Sequence, residues 1–332
     1  MYSNPLQLAN QIADLFASLP QVEAVALAGS RASGGDPSDE TSDIDLYVYT
    51  RGEISLETRR AIVEQTGGAT KSSLNLNYWG AGDEWLHAPT GFEIDIVYFD
   101  ATWMEDQIAR VIEKHQAGLG YSTCLWYTVH QSIVFSDPRG WFARLQQQCQ
   151  IEYPEPLRQN IIALNHPVLR SIIPAYANQL EKAVKRHDLV SINHRLAAMF
   201  ASYFDILFAV NRQYHPGEKR LVEFAVNHCT SLPANMESDI ASILLPTAAD
   251  VSDLPVHVAS LLDHLDQMLE NEGIVVRHYG LCEPRCEGEP VGGCGGCEGD
   301  EEVGAGKVFL GGHQNPKAGQ SESSDREVSA TG

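Results

Sequence analysis

Two kinds of hydrophobic spacing divide this chain, and they change over near residue 100. Asn4-Pro5 followed by Leu8, Ile12, Leu15 and Phe16 predicts a capped amphipathic helix ending near Pro20. Val22 to Ala28 is a continuous apolar run of strand length, closed by Gly29-Ser30. Arg31 to Ser42, rich in Gly, Ser, Asp and Pro, reads as a short helical turn and then loop. From Asp43 to Tyr49 the period is two, with Ile44, Leu46 and Val48 on one face and Asp43 and Asp45 on the other. Ser55 to Gln65 is predicted helical, with Leu56, Ala61 and Ile62 turned inward. Ser73 to Trp79 and Phe92 to Phe99 alternate again and are predicted strands.

Helical periodicity dominates from Trp103 to about Glu270. Asp137-Pro138 opens a helix through Trp141, Phe142 and Leu145, Tyr153-Pro154-Glu155-Pro156 reads as a hinge or linker, and Pro167 and Pro174 interrupt shorter pieces. The strongest helix, Asp188 to Arg212, is apolar over so much of its circumference that it must be packed on several sides. Leu254 to Leu269 completes a bundle. From Gly273 the chain fills with Gly, Glu, Ser and Gln and holds too little apolar surface to offset ordering, which predicts a disordered tail. The expected class is α+β: an α/β domain over residues 1–136, an all-α helical bundle over 137–272, and the tail over 273–332.

Composition removes several functions from consideration. No apolar run approaches the ~20 residues needed to cross a bilayer, and no basic-then-apolar leader opens the chain. The expectation is a cytoplasmic protein with no membrane partner. A formal charge of -21 disfavours binding along a phosphate backbone, so no nucleic-acid partner is expected. Among seven cysteines, Cys124, Cys149 and Cys229 stand in apolar or helical contexts as buried thiols. Cys282, Cys286, Cys294 and Cys297 have the CxxxC and CxxC spacing of a zinc site, but the surrounding Gly, Glu and Ser favour a flexible appendage.

The chemistry lies near the N-terminus. Two carboxylates sharing one strand edge raise each other's pKa unless a cation sits between them, a strain that a divalent metal relieves. Asp95, with Glu93, lies opposite Ile94 and Ile96 on a second strand. With a Gly-Ser turn after a buried strand, these acids suggest nucleotidyl transfer, in which a hydroxyl attacks the α-phosphorus of a nucleoside triphosphate and pyrophosphate leaves. Two metal ions ~3.5–4 Å apart serve such a step, and Asp43 and Asp45 are suitably spaced to bridge them. Asp95 then completes the second metal's shell or takes the hydroxyl proton as general base, with Glu93 the other candidate. Ser30 and the backbone N–H groups after Gly29 would grip the β- and γ-phosphates. Arg31 either reaches a phosphate or pairs with a neighbouring acid. Asp205 faces a substrate cavity or bonds between helices, and Tyr78, Trp79 and Trp85 stack on a base or fill the core.

Leu27-Ala28-Gly29-Ser30, then Asp43-Ile44-Asp45, then Ile94-Asp95-Ile96 resemble the signature of the DNA-polymerase-beta-like nucleotidyltransferase superfamily. Within it the chain looks closest to small-molecule nucleotidyltransferases of the aminoglycoside and lincosamide type that carry a C-terminal helical domain. The resemblance implies a short mixed sheet backed by helices, ATP or another nucleoside triphosphate as donor, and magnesium, two ions, as the metal. It also implies that Gly29, Ser30, Asp43, Asp45 and Asp95 serve the site. Ala209-Val210-Asn211-Arg212 and then Tyr214-His215-Pro216-Gly217-Glu218-Lys219-Arg220 sit where such relatives have a helix end and a loop facing the nucleotide. Lys219 would there neutralise the departing pyrophosphate; the alternative is a helix stop followed by solvated charges. The expected activity is transfer of a nucleoside monophosphate, AMP from ATP first, to a hydroxyl of a small molecule bound between the two domains. A protein side chain as acceptor, as in the antitoxin-type minimal nucleotidyltransferases, and a nucleotide-binding regulatory module without turnover are the alternatives.

Overall fold

The alternation along the N-terminal strands decides which side of one mixed sheet each helix covers. In the computed structural model, residues 4–32, 43–78, 80–245 and 251–275 are described. The chain opens with α1 (Pro5–Ala17), where the Asn4 side chain caps the first turn by accepting the Leu6 amide at 2.8 Å. Then come β1 (Val22–Leu27), the one-turn helix α2 (Gly29–Ala32), β2 (Ile44–Thr50), α3 (Leu56–Gln65), β3 (Ala69–Leu76), β4 (Gly82–His87) and β5 (Glu93–Asp100). Helices α4 (Ala101–Ile112) and α5 (Cys124–Gln131) precede the edge strand β6 (Ile133–Ser136). Thereafter the described residues form α6 (Trp141–Gln148), α7 (Glu155–His166), a π-helical turn at Pro167–Ser171, α8 (Tyr176–Lys185), α9 (Leu189–Val210), α10 (Leu221–His228), α11 (Met236–Leu244) and α12 (Leu254–Asn271). No helix among them is long and apolar enough to cross a membrane.

The strand order is β3-β4-β5-β2-β1-β6, with β2 and β5 parallel and every other neighbouring pair antiparallel. A mixed sheet backed by helices is what the sequence resemblance implies. On one face Ile44, Leu46, Val48, Ile94, Ile96 and Tyr98 pack with Leu8, Ile12 and Phe16 of α1 and Ile62 and Val63 of α3. On the other, Ala24, Ala26, Tyr49 and Phe99 join Met104, Trp126, Trp141 and Phe142 in a core that runs on without a break through α7, α9 and α12. Period two therefore puts Asp45 and Tyr47 on the side where the helical part of the chain lies.

Ala61, expected to turn inward, is exposed, and Val63 is buried with Ile62 instead; four larger corrections concern whole elements. The third strand is Ala69–Leu76 rather than Ser73 to Trp79, and Trp79 lies outside the described residues. Strand β4 was not expected, because two of its three inward positions are polar: Asp83, Trp85 and His87 are buried together. Strand β6 interrupts the expected run of helices by pairing with β1 at the sheet edge. Tyr153-Pro154 is a packed connection, with Tyr153 stacked on Trp126 at 5.6 Å, while Glu155 and Pro156 already belong to α7. The tail beyond Val275, with its four cysteines, falls outside the described residues.

Asp83 explains how β4 tolerates an inward charge. Its carboxylate accepts Arg59 Nη1 at 2.9 Å, the Asn75 amide at 2.7 Å and the Tyr98 hydroxyl at 2.7 Å. A buried carboxylate that loses a donor is left under-solvated, so Tyr98→Phe is expected to destabilise the fold by about 1.5–3 kcal/mol. Urea denaturation measures this. A stability equal to wild type would remove the Asp83 cluster from the account of this sheet edge.

Candidate active site on the helical face of the sheet

Strand β1 ends in a backbone shape that only glycine takes cheaply. Gly29 has φ +64°, and a Cβ placed on it would lie 1.9 Å from Asp45 Oδ2, so the Asp45 carboxylate rests directly against the Gly29 main chain. The Ala28 amide donates to the Asp45 carbonyl at 2.9 Å, fixing the turn to the start of β2. Ser30 follows Gly29 on the single turn of α2. Arg31, 2% exposed, donates from Nε to the Asp43 carbonyl at 2.8 Å, tying α2 to the entry of β2. Its charge also lowers the pKa of Asp45, opposing the burial beside it.

Parallel pairing places Asp45 opposite Asp95, and antiparallel pairing places Asp95 opposite Glu84 of β4. Three acids thus stand in a row across three adjacent strands, on one face, with Asp43 at the exposed entry of β2. Their fields overlap. Burial, then the Asp43 charge, raises the Asp45 carboxyl. Asp95 is pushed to about 7 by burial first, then by Asp45, Glu84, Asp43 and Glu93. Tyr47, behind Asp45, is raised by burial and then by Asp45, Cys124 and Asp95. Cys124 itself is pushed up to about 12, chiefly by burial and then by Asp205 and Glu218, so it is a neutral thiol.

Glu84 is the site residue that the sequence did not single out, because its strand was not recognised. The signal that would have found it is Trp85 four residues before the Pro89-Thr90-Gly91 turn, with Phe92 beyond, the outline of a hairpin. Glu93, the other expected base, is exposed at the first residue of β5 and pairs with Leu86, so it lies one step outside the row. Lys219 is exposed on the loop between α9 and α10, yet its charge reaches Asp45 and lowers that carboxyl. Asp205 bonds between segments of the helical part, accepting the Ser122 amide, the Ser122 hydroxyl and the Asn165 side chain. Trp85 is core, and Tyr78 is 81% exposed.

The donor set can be tested against a metal. Among the described residues, no three His, Cys, Asp or Glu side chains already form a metal-holding cluster. Zinc or calcium cages are built that way, whereas Mg²⁺ keeps several waters and is held by one or two carboxylates together with substrate phosphates. Hard carboxylate oxygens in mutual repulsion, without a complete cage, fit that second mode.

Residues 122–221 match the family model "Domain of unknown function (DUF4037)". No curated protein matches the chain. Among solved structures, the chain is similar at 12% identity to a nucleotidyltransferase-like protein from Exiguobacterium sibiricum 255-15, over 80% of this chain and 74% of that one, with a TM-score of 0.38.

Proposed function

We propose that this chain is a Mg²⁺-dependent nucleotidyltransferase that moves a nucleoside monophosphate, AMP from ATP first, onto a hydroxyl of a small acceptor and releases pyrophosphate. The observation that carries the reading is the paired register of Asp45 and Asp95, with the Gly29 main chain pressed on the Asp45 carboxylate. An aligned pair of acids beside a backbone turn is an arrangement that transfer to an α-phosphorus can use.

Asp43 and Asp45 would hold magnesium jointly with the triphosphate, and when bound it supplies positive charge to the phosphates and to the attacking oxygen. The backbone N–H groups that follow Gly29 would receive the outer phosphates. The acceptor hydroxyl forms its new bond to the α-phosphorus as the bond to pyrophosphate breaks. Its proton passes to the Asp95–Glu84 pair. Asp95 stands opposite both Asp45 and Glu84 in the row, which is the place from which a carboxylate would take that proton. Lys219, already within electrostatic reach of Asp45, would neutralise the departing pyrophosphate.

The test is incubation of the full chain with Mg²⁺, an extract and ATP labelled in the α-phosphate. Label in small molecules supports the reading. Label in protein keeps the chemistry and overturns the acceptor, and bound but untransferred nucleotide overturns catalysis.

A further inference from the structure

Ala201, Asp205 and Phe208 share one face of α9 at helical spacing, and that face meets two separate segments of chain. At Ala201 the loop before α5 approaches so closely that a Cβ on Gly120 would lie 2.8 Å from the Ala201 Cβ. One turn on, Asp205 takes the Ser122 amide at 3.0 Å, the Ser122 hydroxyl at 2.6 Å and the Asn165 side chain at 3.2 Å. Asn165 also accepts the Gly120 amide at 2.9 Å and donates to the Gly118 carbonyl at 2.9 Å. Tyr121 is thereby held at φ +57° between two pinned amides, a conformation an aromatic residue keeps only when its surroundings impose it. Further along, Phe208 meets the His215 ring edge-on at 5.1 Å.

The two segments join at Thr123, whose hydroxyl oxygen accepts the His215 amide at 2.8 Å, while the Tyr121 ring lies 4.7 Å from the imidazole. His215 is fully buried. Its Nδ1 accepts the Gly217 amide at 3.2 Å, so the ring hydrogen sits on Nε2, where it finds no partner among the described residues. Burial pushes the imidazole down to about 3, and Nδ1 therefore stays an acceptor throughout the working pH range. A phenylalanine would fill this volume without stranding a donor. What the imidazole adds is the closure of His215-Pro216-Gly217, with Gly217 at φ +108°, two residues before Lys219.

We infer that Thr123 and His215 are positioning residues for Lys219: they fix its loop to the strut on α9 so that the ammonium is in reach of Asp45 before nucleotide binds. This inference rests on the proposed role of Lys219 toward the triphosphate. A lysine on an untethered loop gives up conformational freedom on binding, and an anchored one has given up much of it already.

Calorimetric titration of the full chain with magnesium pyrophosphate tests this, using Thr123→Val, Thr123→Ser, His215→Phe and Lys219→Met. Lys219→Met is expected to weaken binding about 10- to 100-fold, as loss of a charge-assisted contact does. Thr123→Val and His215→Phe should weaken it several-fold, and Thr123→Ser, which keeps the oxygen, should bind as wild type does. Thr123→Val added to Lys219→Met should weaken binding no further, because the anchor acts only through the lysine. Losses that add in the double variant, or unchanged binding in Thr123→Val and His215→Phe beside a loss in Lys219→Met, overturn the inference and leave the role of Lys219 standing. Unchanged binding in Lys219→Met removes that role and the inference with it. His215→Phe, which preserves the buried volume, decides the matter should Thr123→Val fail to fold.

Discussion

Asp45→Asn and Asp95→Asn are expected to reduce nucleotidyl transfer by about 10³-fold or more while making the metal-free chain more stable. The two effects have opposite signs for one reason. Burial and neighbouring acids raise both carboxyls, so each charged form is worse accommodated in the folded chain than in the unfolded one. An amide keeps the shape and removes the penalty along with the chemistry. The pH dependence has a definite sign. With Asp95 near 7 in the fold and near 3.8 in an unfolded chain, both states are protonated below about pH 4 and its stabilising contribution is whole. Between about 4 and 7 the unfolded chain loses its proton first, so the fold loses stability as pH rises and holds the full penalty above 7. Asp205, also raised to about 7 by burial against the hydrogen bonds from Ser122 and Asn165, adds a slope of the same sign. Melting temperatures from pH 4 to 8 without metal should therefore fall more steeply in wild type than in Asp95→Asn. Bound magnesium offsets the like charges that help raise Asp95, so transfer should rise with pH at a lower pH than the metal-free midpoint of about 7, and Glu84→Gln should lose about 10²-fold or more. An Asp95→Asn chain that transfers at the wild-type rate would take the acid row out of the mechanism.

How much of this arrangement is legible in the sequence depends on whether a side chain's neighbours are set by period or by pairing. Asp43 and Asp45 share a face by strand period alone, and Ile44, Leu46 and Val48 mark which face is buried. That Asp45 stands opposite Asp95 needs the parallel pairing of β2 with β5, which lie far apart in the chain with two strands and a helix between them. Glu84 is harder still, since Asp83 and His87, the inward neighbours that would betray its strand, are polar residues satisfied by partners from elsewhere. Asp205 announces itself as an acid within an apolar helix, but Ser122 is brought to it from 83 residues away. Periodicity locates each acid on its own element. Register and loop closure, which depend on the whole core, decide what each acid meets.

Gly29→Ala is expected to reduce transfer by about 10²-fold or more, although the residue carries no reacting group. Two penalties meet at this position. An L-residue at φ +64° adopts left-handed backbone at about 1–2 kcal/mol, and the new methyl would fall 1.9 Å from Asp45 Oδ2, a separation that no pair of atoms at van der Waals contact tolerates. The carboxylate must therefore move, and a displacement of about 1 Å from reacting geometry is enough for a loss of that size. Gly91 separates the two penalties. It sits at φ +76° in the turn before β5, where a Cβ would meet nothing within 4 Å. Gly91→Ala should show the left-handed cost alone in its melting temperature and keep wild-type transfer, while Gly29→Ala should be destabilised more and lose transfer as well. Paired assays of stability and transfer in the two variants check this. Equal retention of activity in both would mean that Asp45 does not depend on the Gly29 main chain for its place, and contact between the turn and the first strand acid would then be packing without catalytic consequence.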